Sequence, residues 1–123
     1  MAGIYTTGKS HTHQVMDGQT VQTDEVSTDH IITQRISDES GAFQVEFSTD
    51  PGGGATGECV LEGRLSPDAP WATLASFDIV DLNGLSPISK IMTGVTITPE
   101  TRFAFRNSVS VSGTPTANVW IME

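Results

Sequence analysis

The chain carries a few residue groupings whose types and spacing could do chemistry. Gly3-Ile4-Tyr5-Thr6-Thr7-Gly8-Lys9-Ser10 satisfies G-x-x-x-x-G-K-[ST], the loop whose amides and lysine cradle nucleotide phosphates. That loop works between a buried strand and the N-terminus of a helix, which supplies oriented N–H donors. Only Met1 and Ala2 of this chain precede it, and His11-Thr12-His13-Gln14 is a poor helix start. No βαβ pattern with a metal-holding Asp follows, so neither a nucleotide nor any other cofactor is expected at Lys9. His11 and His13, at i and i+2, share one face of an extended segment, and a threefold assembly would gather six imidazoles around its axis. A solvated histidine pair in a polar arm accounts for the same residues without an ion, and no metal site is assigned. His30, at the start of a strand, reads as a turn or edge residue.

The acidic pairs Asp24-Glu25, Asp38-Glu39 and Asp78/Asp81 could serve as catalytic carboxylates or calcium ligands. Glycosidase chemistry needs two carboxyls held roughly 5 to 9 Å apart in a cleft, and calcium loops follow D-x-[DN]-x-[DN]-G spacing. No loop here has that spacing, and solvated surface charge is the preferred reading. Cys59 falls on the inward phase of a strand, where a thiol behaves as a small apolar group, and no Gly-x-Ser-x-Gly elbow occurs. Trp71, at a strand start, could stack on a sugar, while Trp120 is out of phase with Val119 and Ile121. Core or subunit interface is the expected place for both. No catalytic residue is assigned, and the chain is not expected to be an enzyme.

The elements that must position these residues are strands. Phe43, Val45 and Phe47 alternate with Gln44, Glu46 and Ser48, so one face of residues 42–48 must be core. Cys59, Leu61, Gly63 and Leu65 oppose Glu58, Glu62 and Arg64, with Val60 the one apolar residue out of step. Ser66-Pro67-Asp68-Ala69-Pro70 forbids a helix and favours a turn, so residues 57–77 read as a β-hairpin with a five-residue loop. Phe103 and Phe105 point in while Arg102, Ala104 and Arg106 point out, and Ala117 to Met122 is a last strand. A weaker strand is read over residues 21–26 and a better one over 30–36. Turns or loops are read at 37–41, 50–57, 99–101 and 113–116, and residues 78–87 mix apolar residues with an Asn83-Gly84 turn signal. Nowhere do apolar residues keep a helical period over three turns. The fold expected is all-β: an antiparallel β-sandwich, jelly-roll or Ig-like, of about eight short strands with an extended N-terminal arm. Residues 1–20 are assigned to the polar arm and residues 21–123 to the sandwich.

Bulk properties bound the partners. The 123 residues suit one domain, and 37% hydrophobic residues with five Phe, two Trp and one Tyr can build a modest core. Six basic residues against 15 acidic ones give a formal charge of -9, which repels a phosphate backbone, so no nucleic acid is expected as a partner. The single cysteine forms no internal disulfide. No apolar run approaches the roughly 18 residues of a membrane span, so no membrane partner is expected. No signal-peptide h-region occurs, which leaves synthesis in a cytoplasm as the expectation.

The hairpin Leu61-Glu62-Gly63-Arg64-Leu65-Ser66-Pro67-Asp68 runs into Trp71-Ala72-Thr73-Leu74, and Arg102-Phe103-Ala104-Phe105-Arg106 precedes Val119-Trp120-Ile121-Met122 across a Gly-Thr turn. Over roughly the last half of the chain this pattern resembles small β-sandwich proteins of tailed-bacteriophage virions. That group includes capsid decoration (cement) proteins, tail-fibre domains and discoidin-like sugar-binding sandwiches. The chain lacks the heptads of a tail fibre and a clear calcium loop, so the decoration type fits best. The resemblance implies a non-enzymatic structural protein made in a host cytoplasm and located on the capsid exterior of the virion. It also implies a homo-oligomer, a homotrimer in type, whose partner is the major capsid protein and which bridges neighbouring capsomers to stabilise the shell. The alternative it implies is a carbohydrate- or receptor-binding module of a phage tail or head fibre, using Trp71 and residues 51–57.

Overall fold

The structure, a computed structural model, describes residues 12–33 and 37–123. Eight strands run in chain order: β1 (Thr12–Thr20), β2 (Ile31–Ile32), β3 (Ser37–Phe47), β4 (Thr56–Arg64), β5 (Ala72–Asp78), β6 (Ser89–Ile97), β7 (Glu100–Ser110) and β8 (Thr116–Met122). Pairing is antiparallel throughout and nested: β1 with β8, β2 with β7, β3 with β6, β4 with β5. Two further pairings, β3 with β8 and β4 with β7, complete the sheets β1-β8-β3-β6 and β2-β7-β4-β5. The chain thus behaves as one long hairpin, its tip at the β4–β5 turn, rolled so that successive strand pairs fall in alternate sheets. This nesting is the jelly-roll form of the sandwich, and it resolves the jelly-roll or Ig-like expectation in favour of the first.

The core lies between the sheets. All five phenylalanines form one line of ring contacts through it: Phe77 stacks on Phe43 at 5.9 Å, Phe43 meets Phe103 at 6.1 Å, Phe103 meets Phe105 edge-on at 5.0 Å, and Phe105 meets Phe47 at 6.0 Å. Val45, Cys59, Leu61, Ile97, Val119 and Ile121 fill the space around the rings with no exposed surface. Each Phe removed from water contributes about 1.5–3 kcal/mol, and Phe43, Phe103 and Phe105 are the largest fully buried side chains among the described residues.

One buried corner carries the chain from β6 in one sheet to β7 in the other. The Thr98 hydroxyl donates to the Glu100 carbonyl at 2.7 Å, the Thr101 hydroxyl donates to the Thr98 carbonyl at 3.0 Å, and the Thr98 N–H donates to Thr101 Oγ1 at 3.1 Å. These bonds satisfy polar groups that would otherwise be stranded in the core. The corner packs on Gly63, where a Cβ would meet Thr98 Oγ1 and lie 2.7 Å from Leu74 Cδ1.

Several expectations are corrected. Of the N-terminal arm expected over residues 1–20, Thr12–Thr20 is instead β1, an integral strand of the sandwich hydrogen-bonded to β8. Register shifts between Gln14 and Met16, and between Asp17 and Gln19, bury the adjacent Val15 and Met16 together, which erases the period-two signal. Residues 1–11 lie outside the described residues. The turn expected at 37–41 is the first part of β3, where shifts in register around Gly41 make an irregular ladder without reversing the chain. The strand expected over 21–26 is irregular, but it covers the β7 edge: the Asp24 N–H donates to the Phe105 carbonyl at 2.8 Å, the Ser27 N–H to the Phe103 carbonyl at 2.8 Å, and the Phe105 N–H to the Glu25 carbonyl at 3.0 Å. Of the strand expected at 30–36, Ile31–Ile32 is strand and residues 34–36 lie outside the described residues. Within 78–87 a 3-10 turn, Ile79–Leu82, buries Ile79 and Leu82 completely.

Candidate functional site

Polar and apolar groups that do not serve the core collect on the two outward sheet faces. On the β2-β7-β4-β5 sheet, register aligns Ile32, Glu100 and Arg64 in one row, and Arg102 beside Glu62 in the next. Glu62 is 8% exposed and accepts from Arg102 Nε at 2.8 Å, Arg106 Nε at 3.0 Å and Arg106 Nη2 at 3.0 Å. Arg106 also reaches Asp24 at 3.0 Å, while Glu100 takes Arg64 Nη2 at 2.9 Å and lies 3.4 Å from His30 Nε2. The guanidinium carbons of Arg64 and Arg102 stand 4.3 and 4.2 Å from the Trp71 ring centroid, and the His30 ring meets that indole edge-on at 5.9 Å. These contacts lock Trp71, Glu62 and three arginines into one plate.

Burial alone would raise the Glu62 carboxyl, but hydrogen bonds from Arg106 and Arg102, and then their charges, outweigh it and hold Glu62 below its usual range. Val60 and Ala104 point outward on this sheet and are nonetheless buried, at 3% and 0% exposure. Val60 pairs with Ala104 between the Glu62–Arg102 and Glu58–Arg106 pairs, so Arg106 must cross this apolar pair to reach Glu62. That is why Val60 breaks the alternation of β4 without being solvated. The plate holds three arginines and three carboxylates (Asp24, Glu62 and Glu100), so the net charge of -9 resides on the rest of the chain. Beside it stand two exposed apolar side chains, Ile32 at 75% and Leu65 at 66% exposure.

The outward face of the β1-β8-β3-β6 sheet differs. Register aligns Thr12, Met122, Ala42 and Thr93 across all four strands, and next to them Gln14, Trp120, Gln44 and Ile91. Neither row contains an ionisable side chain. Trp120 and Met122 are half-buried on this surface and Ile91 is 56% exposed. Gln44 donates to Ser89 Oγ at 2.9 Å and Gln14 to the Met16 carbonyl at 3.1 Å, which fixes both amides. The third row, Asp17, Asn118, Glu46 and Ser89, is polar and cross-linked, with Asn118 donating to Glu46 at 3.1 Å and accepting from the Gly18 N–H at 2.9 Å.

The other residues singled out in the sequence are spread apart. Lys9 and His11 lie outside the described residues; His13 sits on β1 with Nε2 3.6 Å from Glu123 Oε2. Among the described residues no three of His, Cys, Asp and Glu are grouped to hold a metal ion. Asp24 is engaged by Arg106, Glu25 accepts from Gln19 and Gln22, and Asp81 pairs with Lys90 at 3.2 Å. Cys59 is fully buried, and desolvation, followed by the charge of Asp81, pushes its thiol well above its ordinary value, away from nucleophile character. Trp71 is not a bare platform, since two guanidiniums stand over its ring. The plate itself was missed as a unit. Glu62, Arg64, Arg102 and Arg106 all have the outward phase in the sequence, but nothing local says that β4 and β7 are neighbours. Among the described residues no helix is long and apolar enough to cross a membrane. No known protein family, no curated protein and no solved structure matches this chain.

Proposed function

We propose that this chain is a structural protein of a phage virion, a decoration or cement protein that binds the outer capsid surface as a homo-oligomer and stabilises the shell. The observation that carries the reading is the Arg–Glu–Trp plate on the β2-β7-β4-β5 sheet. Its charges are balanced, its arginines and carboxylates are joined by ion pairs and its Trp71 ring is held under two guanidiniums before any contact, and Ile32 and Leu65 are exposed next to it in the chain or the register. A surface of that kind loses little side-chain freedom on docking and brings no unpaired charge to the contact, two of the main costs of association. Trp and Arg are also the residue types that most often dominate binding energy. The jelly-roll frame and the hairpin pattern resembling virion β-sandwiches point the same way, although a fold alone does not assign a role.

The mechanism is mass action. A protein that binds the assembled shell but not its separated subunits stabilises the shell by RT ln(1 + [L]/Kd), about 2.7 kcal/mol per site when free protein stands at 100 times Kd. The partner is the major capsid protein, and the plate is the surface assigned to it. The fibre reading gains less from the geometry, because a sugar stacking on Trp71 would have to displace Arg64 or Arg102 from the ring. The test compares particles with and without this protein under heating and at low ionic strength. Intact particles should retain their genome at temperatures where stripped ones release it, and adding purified protein back should restore the difference. Equal resistance of the two would reject the role.

A further inference from the structure

We infer that the uncharged stripe on the outward face of the β1-β8-β3-β6 sheet is where copies of this chain meet one another. The inference rests on the homo-oligomer part of the reading above and not on its shell-binding part.

Two adjacent rows cross the whole sheet, Thr12, Met122, Ala42, Thr93 and Gln14, Trp120, Gln44, Ile91, without one ionisable group. The chain around them carries 15 acids against 6 bases. Outside this stripe and the balanced plate the surface is net acidic, so copies approaching through it bring like charge against like charge, which opposes association. A charged partner docking on the stripe would bury its charges against groups that cannot compensate them. The complement of this face is therefore uncharged and able to pair with amides. The stripe itself has that chemistry, and a glutamine amide both donates and accepts, so the same residue types satisfy each other across a contact between copies. Trp120 and Met122 on inner strand β8, Gln14 and Thr12 on one edge strand and Ile91 and Thr93 on the other mix an aromatic and apolar groups with uncharged polar ones, and Trp and Met are residue types enriched at protein interfaces. The cross-linked row Asp17, Asn118, Glu46 and Ser89 then forms part of the rim. The balanced plate on the opposite sheet remains free for a different partner.

The experiment measures the mass of the purified full chain in solution by sedimentation or light scattering, for the wild type and three variants. Gln44→Glu changes one atom type and puts one negative charge per copy at the centre of the stripe; Trp120→Ala removes the anchor; Ile32→Glu places a charge beside the plate. Far-UV circular dichroism and thermal melting check that each is folded. The wild type should be oligomeric, Gln44→Glu should raise the dissociation constant by roughly 100-fold or more with partial recovery in high salt, and Ile32→Glu should assemble like the wild type. A folded Gln44→Glu chain that keeps wild-type assembly, or a wild type monomeric at about 100 μM, would overturn the inference. Because no particle is present, failure here is separable from failure to bind a shell. Folded monomers of Gln44→Glu uphold this interface whether or not they bind particles; binding by such monomers would show that shell attachment does not need the homo-oligomer.

Discussion

Replacing Glu62 by Gln removes a carboxylate that three arginine N–H groups address, while keeping the side chain's size. Its side chain is 11% exposed, and those of Arg102 and Arg106 are 20% and 25% exposed. A wholly buried pair broken from one side costs about 3–5 kcal/mol, whereas exposed pairs contribute about 0–1 kcal/mol. With the two arginine side chains a fifth to a quarter open to solvent, the expected loss lies between these, about 2–3 kcal/mol. For a chain of 123 residues that corresponds to a fall in Tm of roughly 8–12 °C. The pH dependence gives a second, independent readout. Glu62 has a folded pKa below its unfolded one, so its contribution is fully present above the unfolded value of about 4.3 and is lost as pH falls through the folded value. The gap between wild type and Glu62→Gln should therefore be full at pH 7 and close progressively as the pH falls below about 4. Thermal or urea melts of both chains from pH 7 to pH 2.5 measure it. A gap below about 0.5 kcal/mol at pH 7, or one that stays constant across the acid range, would refute the assignment of Glu62 as the centre of the plate.

Gly63→Ala should destabilise by about 1–3 kcal/mol in a urea melt, because the added Cβ meets Thr98 Oγ1 and Leu74 Cδ1 inside the corner between the sheets. Gly54→Ala, where a Cβ would find nothing within 4 Å, should change stability by less than about 0.5 kcal/mol and serves as the control. The thiol of Cys59 should resist a thiol reagent such as Ellman's in the native protein and react fully once urea unfolds it; rapid labelling under native conditions would contradict its burial.

Much of the frame is legible in residue order because a strand with one buried face must alternate. Phe43, Val45 and Phe47, and likewise Phe103 and Phe105, announce their faces, and Ser66 to Pro70 announces the turn between β4 and β5. Trp120, read as out of phase with Val119 and Ile121, does point away from the core. What is not legible is whatever breaks the alternation or depends on pairing at long range. Val15 and Met16 are buried side by side through a bulge, so β1 reads as a polar arm. Residues 37–41 have the composition of a turn and the role of an irregular strand start. The nesting of β1 with β8 joins residues about a hundred positions apart, which no local pattern records. The plate and the stripe share that fate: each residue's outward phase can be read singly, but the rows exist only once strand order is known.

The shell role proposed above is tested most directly by the copy number of this protein in purified particles, measured by quantitative mass spectrometry against the major capsid protein. A shell component should be present in hundreds of copies per particle, in a fixed ratio to the capsid subunits. A handful of copies per particle, or none after gradient purification, would contradict it.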